Sequence, residues 1–138
     1  MRLLNINGKL VHKNVGKKRV KWTKKSRSKL QTTVKNFLEE FWKTHIVFEE
    51  FPVYGTRMSV DFLNATKKIA IEVNGRQHSE YVEFFHGSRL DYFKSIRRDV
   101  QKAEWLEMNG YTLIELERKD VEKLSLDYIE ELCGMSII

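Results

Sequence analysis

The spacing of apolar residues in the first half of the chain predicts a hairpin, a helix and three strands. Residues 2–12 contain two short apolar runs on either side of Asn7-Gly8, a pair that favours a type I′ turn in a β-hairpin. Apolar residues at helical spacing then predict a helix over 29–43. The strands predicted next are 46–53, 57–64 and 67–73.

The second half of the chain predicts two more helices around one further strand. The first helix covers about 89–109 and is followed by Gly110, where a left-handed residue commonly ends a helix. A strand over 111–117 and a closing helix over 120–133 complete the chain. The order α-β-β-β-α-β-α predicts an α/β (α+β) fold, a mixed sheet flanked by helices.

Length and composition fit one ordered domain preceded by a basic segment. The chain has 138 residues, of which 41% are hydrophobic, enough to bury a sizeable core. We expect residues 1–28 to form a basic N-terminal hairpin and arm, and 29–138 to form the domain. With a single cysteine, Cys133, and neither a secretory signal nor an apolar run long enough to span a bilayer, we expect a cytoplasmic protein that is not secreted and does not bind membranes.

Charge divides the chain into a cationic arm and an acidic body. Residues 1–38 contain 12 Lys and Arg residues and no acid, whereas the remaining 100 residues carry 13 basic and 19 acidic side chains. Such an arm predicts salt-sensitive nucleic-acid binding, although a poorly ordered solubilising tail is the alternative. The residues predicted to contact nucleic acid are Lys17, Lys18, Arg19, Lys21, Trp22 (by stacking on a base), Lys24, Lys25 and Arg27, with Arg97 and Arg98 of the long helix.

Two carboxylates are candidates for a metal site. Asp61 interrupts the second strand of the domain and Glu72 ends the third. If residues 64–67 form the turn between these strands, antiparallel pairing places the two acids opposite or diagonal, with Cβ atoms about 5–8 Å apart. Carboxylates at that distance repel each other unless a cation lies between them, and oxygen ligands suit Mg²⁺. The alternative is a pair of solvated acids that bind lysines.

Further polar residues follow Glu72 along the chain. Asn74 projects to the same face of the strand, and Gln77 and His78 lie just beyond it. His78 could act as a general base or acid near neutral pH, although a loop histidine is often only a surface residue. Asp99 and Lys102 share one side of the long helix, where an ordinary charged helix face is the alternative.

Together these motifs resemble those of the PD-(D/E)xK, restriction-endonuclease-like nucleases. The matching segments are "VDF" (60–62), "IEVNGRQH" (71–78), "RRD" (97–99) and "LEMNGYTLIEL" (106–116). The chain is most similar to the branch that includes very-short-patch repair endonucleases and EDxHD homing endonucleases. The resemblance implies a restriction-endonuclease-like α-β-β-β-α-β core over about residues 29–118, and hydrolysis of DNA that depends on Mg²⁺ or Mn²⁺.

The resemblance also implies roles for individual residues. Asp61 and Glu72 correspond to the metal-binding acids of the family, and the carbonyl of Val73 to a third metal ligand. The active-site histidine of the repair branch corresponds to His78 and its later aspartate to Asp99. Gln77 is expected to position water or phosphate.

Three departures from the family pattern stand out. Asn74 replaces the lysine of the E-x-K element, so Gln77, His78 or Lys102 must supply its role. The glutamate that many relatives carry in the first helix is Gln31 here. The acids that could substitute for it are Glu39, Glu40, Glu49 and Glu50. The structural zinc of the repair enzymes has no counterpart, because one cysteine cannot build its site.

The function predicted from the sequence is a metal-dependent DNA endonuclease of the nicking, homing or repair type. Asp61, Glu72, Gln77, His78 and Asp99 form its expected catalytic set. A homodimer is one option, since cutting both strands often needs two active sites. The alternatives are a non-catalytic DNA-binding module with a nuclease fold and a nuclease subunit that needs a partner.

Overall fold

The computed structural model describes residues 1–74 and 89–138, and it contains six strands and four helices in that part of the chain. The strands are β1 (Arg2–Leu4), β2 (Leu10–His12), β3 (Val47–Pro52), β4 (Ser59–Asn64), β5 (Ile69–Asn74) and β6 (Thr112–Glu117). The helices are α1 (Lys29–Trp42), α2 (Arg89–Met108), α3 (Arg118–Val121) and α4 (Leu126–Cys133).

A four-stranded mixed sheet organises the chain, as the element order predicted. Its strand order is β3-β4-β5-β6; β3, β4 and β5 pair antiparallel, and β5 pairs parallel with β6. A parallel pair needs a long connection, and α2 lies between β5 and β6 in the chain. The mixed α/β sheet flanked by helices is therefore confirmed.

Two clusters of buried side chains cover the two faces of the sheet. Leu63 and Ala70, paired across β4 and β5, pack with Trp105 of α2. Their neighbours Phe62 and Ile71, which point to the other face, pack with Val34, Leu38 and Trp42 of α1. The helix α1 begins where Ser28 caps it by accepting the N–H of Gln31 at 3.1 Å. The sheet thus lies between α2 on one side and α1 on the other.

The N-terminal hairpin is confirmed, but its predicted turn is wrong. β1 and β2 pair antiparallel, and residues 5–9 form the connection. Gly8 has φ 82°, whereas Asn7 is not among the residues with positive φ, so the type I′ geometry is not formed. The Asn5 side chain accounts for the longer loop, because its Oδ1 accepts the N–H groups of Asn7 at 2.9 Å and Lys9 at 3.0 Å.

Residues 1–28 pack against the rest of the protein. Leu3 and Val15 belong to the same buried cluster as Trp105, whose Nε1 donates to the carbonyl of Leu4 at 2.7 Å. Further along, Val20 donates its N–H to the carbonyl of Val47 at 2.9 Å, beside the edge of β3. The basic arm is therefore held along β3.

The closing helix predicted over 120–133 is instead two helices, α3 and α4. Glu117 and Asp120 form a capping box that starts α3 immediately after β6. Ser125 then accepts the N–H of Tyr128 at 3.0 Å and starts α4. The second cap explains the break, because a capping serine is itself non-helical.

Within the described ranges, none of the helices has the length and apolar character required to cross a membrane.

Candidate active site

The two candidate acids lie opposite each other on neighbouring strands, as the antiparallel pairing predicted. Phe62 pairs with Ile71, which places Asp61 opposite Glu72. The N–H of Asp61 donates to Glu72 Oε2 at 3.2 Å, and the N–H of Val73 donates to Asp61 Oδ2 at 2.8 Å. The two carboxylates therefore share one site on the face of the sheet that α2 covers.

Asp61 is a buried acid whose pKa lies above its ordinary value. Its residue exposure is 8%, and burial raises the pKa of Asp61 from its ordinary 3.8 to about 8, with the charge of Glu72 and a hydrogen bond to Glu72 adding to the effect. The Val73 amide acts in the opposite direction, and the more distant Glu50 raises the pKa further. A cation between the carboxylates would offset both the burial and the repulsion.

Helix α2 brings a lysine to the same site. Lys102 Nζ forms an ion pair with Glu72 Oε1, and both side chains are largely buried, with exposures of 17% and 15%. Of the three residues proposed to replace the missing lysine of the E-x-K element, Lys102 is therefore placed beside Glu72. The other two, Gln77 and His78, lie outside the described residues.

A cavity of about 250 Å³ opens onto the two acids. Its lining consists of Arg27, Asp61, Glu72, Val73, Asn74, Asp99, Lys102, Leu113 and Glu115, and we refer to it as the carboxylate cavity. It brings together the Asp61, Glu72, Val73 and Asp99 of the predicted set. Glu115, which lies beside Glu72 through the parallel register of β5 and β6, was not predicted. The only sequence signal for Glu115 was the alternation of polar and apolar residues along β6. That alternation does not show which strand lies beside β6.

The donor set in the carboxylate cavity fits a hard divalent ion. Two carboxylates converge there, and oxygen ligands of this kind suit Mg²⁺ or Mn²⁺, which retain several waters. In residues 1–74 and 89–138, no group of three or more His, Cys, Asp or Glu side chains is close enough to hold a metal ion. The described side chains that could hold such an ion are Asp61 and Glu72, and Val73, whose carbonyl is the third predicted ligand, also lines the cavity.

Glu50 connects the site to helix α1. The register of β3 and β4 places it opposite Asp61, but its φ of 54° turns the chain out of the regular strand geometry. Its carboxylate accepts hydrogen bonds from Gln31 Nε2 and Ser59 Oγ, both at 3.0 Å. Of the four acids predicted to substitute for the first-helix glutamate, Glu50 is the one that lies across from Asp61. Glu49 and Glu50 both line the larger cavity described next, whereas Glu39 and Glu40 line neither that cavity nor the carboxylate cavity.

A second, larger cavity of about 820 Å³ runs along the basic arm. We call it the basic groove; its exposed cationic lining residues are Lys17, Lys18, Arg19, Lys21, Lys24, Lys25, Arg27 and Arg57. Seven of these were predicted from the sequence, and Arg57, from the turn between β3 and β4, was not. Trp22 is half-buried and packs against the core, and Arg97 and Arg98 lie exposed on α2.

A buried ion pair fastens the arm beneath this groove. Lys35 is 1% exposed, and its Nζ donates to Glu49 Oε1 at 2.7 Å and to the carbonyl of Lys24 at 2.8 Å. Ser26 Oγ donates to the other oxygen of Glu49 at 2.5 Å, and Gln31 Nε2 donates to it at 2.9 Å. The backbone and side chains of the arm are therefore bonded to α1 and β3.

The chain is similar to two viral proteins. It is 32% identical over 87 residues to uncharacterized protein 033L of Invertebrate iridescent virus 3, a match that covers 63% of this chain and 43% of that protein. It is 40% identical over 74 residues to uncharacterized protein 094L of Frog virus 3 (isolate Goorha), covering 51% and 48%. The chain thus spans less than half the length of these curated relatives. No protein-family model and no solved structure matches the chain.

Proposed function

We propose that the protein is a metal-dependent DNA endonuclease whose active site is the carboxylate cavity. The observation that carries this proposal is the pairing of Asp61 with Glu72 on adjacent strands, with Lys102 bonded to Glu72. Two buried acids and a lysine around one cavity are the groups that metal-assisted phosphodiester hydrolysis requires. The resemblance of the surrounding motifs to PD-(D/E)xK nucleases supports the same reaction.

Each residue at the site has a defined task in this proposal. Asp61 and Glu72, with the carbonyl of Val73, would hold Mg²⁺ or Mn²⁺, which would polarise the phosphate and lower the pKa of the attacking water. Lys102 supplies the positive charge that Asn74 cannot, and stabilises the negative charge that develops on the phosphate. In the roles that the resemblance implies, His78 would accept the proton of the attacking water with Asp99 as its partner, and Gln77 would position water or phosphate.

The proposal is tested by plasmid nicking with the variant Asp61→Asn. The amide keeps the size of the side chain but loses the charge, so we expect cleavage with Mg²⁺ or Mn²⁺ to fall at least about 100-fold. Asp127→Asn, at an exposed acid in the first turn of α4, is the matched control and should cleave at the wild-type rate. Undiminished nicking by Asp61→Asn would rule out this mechanism.

A non-catalytic DNA-binding module is the second candidate. One observation favours it: Asn74 occupies the position of the E-x-K lysine, so the strand that carries Glu72 does not supply the positive charge of that element. Such a module would bind DNA but leave duplex, nicked, mismatched and branched substrates intact with every divalent ion tried. Metal-dependent cleavage of any of these substrates, lost in Asp61→Asn, would exclude it.

A further inference from the structure

Arg27 occupies a special position, because it lines both the basic groove and the carboxylate cavity. Among the described residues, no other cation that lines the groove also lines the carboxylate cavity. Arg27 is also the last residue before Ser28, which caps α1. Its main chain is therefore fixed at the point where the arm meets the helix, and its side chain is at the junction of the two cavities.

Glu50 holds the Arg27 side chain at this junction. The guanidinium Nη2 lies 3.4 Å from Glu50 Oε2, and Glu50 adopts the positive φ that lets its carboxylate also accept from Ser59. A left-handed conformation is unfavourable for a residue other than glycine. Such strain persists where surrounding contacts determine it, and it is concentrated at functional sites.

The ion pair leaves Arg27 able to exchange partners. Its side chain is 73% exposed, whereas Lys102, the other cation of the cavity, is largely buried against Glu72. A phosphate entering the cavity would be repelled by the exposed Glu115, and by Asp61 wherever Asp61 is ionised, unless a cation met it first. A guanidinium can bind a phosphate through two parallel hydrogen bonds, which a lysine cannot do.

We propose that the basic groove and the carboxylate cavity form one continuous DNA track, in which Arg27 binds the phosphate next to the one that is cleaved. The groove binds the backbone on one side of this point, and Arg27 leaves Glu50 to contact the strand as it enters the cavity. This inference rests on the proposed function for the identity of the cleaved phosphate, but the path of the strand is independent of cleavage.

The track is tested by disulfide cross-linking, which needs neither a metal nor catalysis. The protein carries Cys133→Ser to remove the native thiol and Glu115→Cys to place a thiol in the cavity. It is mixed with a short DNA duplex that carries a disulfide-activated tether on a backbone phosphate. Glu131→Cys, at an exposed position on α4, replaces Glu115→Cys in the control protein.

Removal of Arg27 should affect this cross-link more than removal of a neighbouring cation. In the Glu115→Cys protein at saturating DNA, we expect Arg27→Ala to lower the cross-linked fraction about tenfold, because the strand is no longer aligned with the cavity. Lys25→Ala removes one groove contact of equal charge and should leave a far larger cross-linked fraction than Arg27→Ala. Arg27→Lys, which keeps the charge, should restore part of the signal lost in Arg27→Ala.

Two results would overturn the inference. One is a cross-linked fraction from Glu115→Cys no higher than that from the Glu131→Cys control. The other is an equal loss in Arg27→Ala and Lys25→Ala. A protein that gives the expected cross-links but nicks no plasmid would refute the endonuclease while leaving the DNA track intact, so the two proposals fail separately.

Discussion

The protein has two clusters of like charge, the basic groove and the carboxylate cavity. The two clusters differ in how the repulsion between their charges is offset. Seven of the eight exposed cations of the groove are spread along the arm and Arg57 lies on the turn between β3 and β4, so water and salt screen their repulsion. Asp61 and Glu72 of the cavity lie opposite each other with little exposure, and burial together with the charge of Glu72 raises the pKa of Asp61. The groove is thus stable as it is, whereas the cavity is stabilised by a proton or a cation.

The neutralising contacts also differ between the two regions. Beneath the groove, Lys35 and Glu49 form a fully bonded buried pair that involves no exposed basic side chain. In the cavity, Lys102 forms an ion pair with Glu72. Asp61 accepts the N–H of Val73, and its charge is neutralised by a proton or by a bound cation. We infer that the first pair serves structure and the second serves chemistry, and four predictions separate these roles.

The largest expected effect is on stability beneath the groove. Lys35→Met should lower the free energy of unfolding by about 3 kcal/mol, because it leaves the mostly buried Glu49 carboxylate without a positive partner. Lys119→Met breaks an exposed contact with Glu117 and should cost less than about 0.5 kcal/mol. Urea denaturation measures both changes. Equal values for the two variants would show that the buried pair does not anchor the arm.

The next effect concerns catalysis in the cavity. Lys102→Met should lower nicking about 100-fold when rates are corrected for the folded fraction, because it removes the charge proposed to stabilise the transition state. Mn²⁺ should bind this variant at least as tightly as wild type, since the lysine no longer competes for Glu72. Lys94→Met, at an exposed position on α2, is the control. Weaker Mn²⁺ binding by Lys102→Met would instead indicate that Lys102 only shapes the metal site.

The pH dependence of stability tests the burial of Asp61. Its pKa is raised on folding from 3.8 to about 8, so the contribution of the protonated carboxyl group to stability is fully present below about pH 4 and is lost as the pH rises through 8. In the presence of a chelator, the free energy of unfolding should therefore decline between these values. Asn at position 61 can accept from Val73 and donate to Glu72, so Asp61→Asn should be more stable than wild type at pH 8 by at least about 1 kcal/mol.

The controls for this prediction use a second acid and a metal. Asp127→Asn, at an exposed site, should keep the wild-type pH dependence. Mn²⁺ should stabilise wild type more at pH 8 than at pH 5, because the ion binds the ionised acids, and should not stabilise Asp61→Asn. Urea denaturation across this pH range gives both comparisons, and a flat wild-type profile would contradict the raised pKa.

The smallest effect is expected in the groove. Arg57→Ala should weaken duplex binding about threefold and reduce the slope of log affinity against log salt by about 1, the value for one lost phosphate contact. Lys123→Ala removes an exposed cation outside the groove and should change neither quantity. Fluorescence anisotropy at several salt concentrations measures both. An unchanged slope for Arg57→Ala would mean that DNA does not follow the groove to the β3–β4 turn.

The pairing of Asp61 with Glu72 was predictable because it depends on neighbouring segments. A short connection between two strands determines their antiparallel register, and the register determines which side chains lie opposite each other. Lys102 was only one of three candidates to replace the lysine of the E-x-K element. The reason is that the rotation of α2 about its axis depends on how the helix packs against the core. Trp105 and Leu106 face the core, whereas the apolar Phe93 and Val100, which contributed to the helical pattern, are exposed at 55% and 50%.

The sequence by itself therefore determined the kinds of elements, the mixed sheet and the pair of facing acids. Periodicity, caps and strand register act over a few residues, and each leaves a local pattern in the chain. Only the tertiary structure decided that Lys102 reaches Glu72, that Glu115 lies beside it and that Arg27 joins the groove to the cavity. These contacts join segments that are distant in the sequence. Their geometry depends on the packing of the whole core, which a local sequence pattern does not determine.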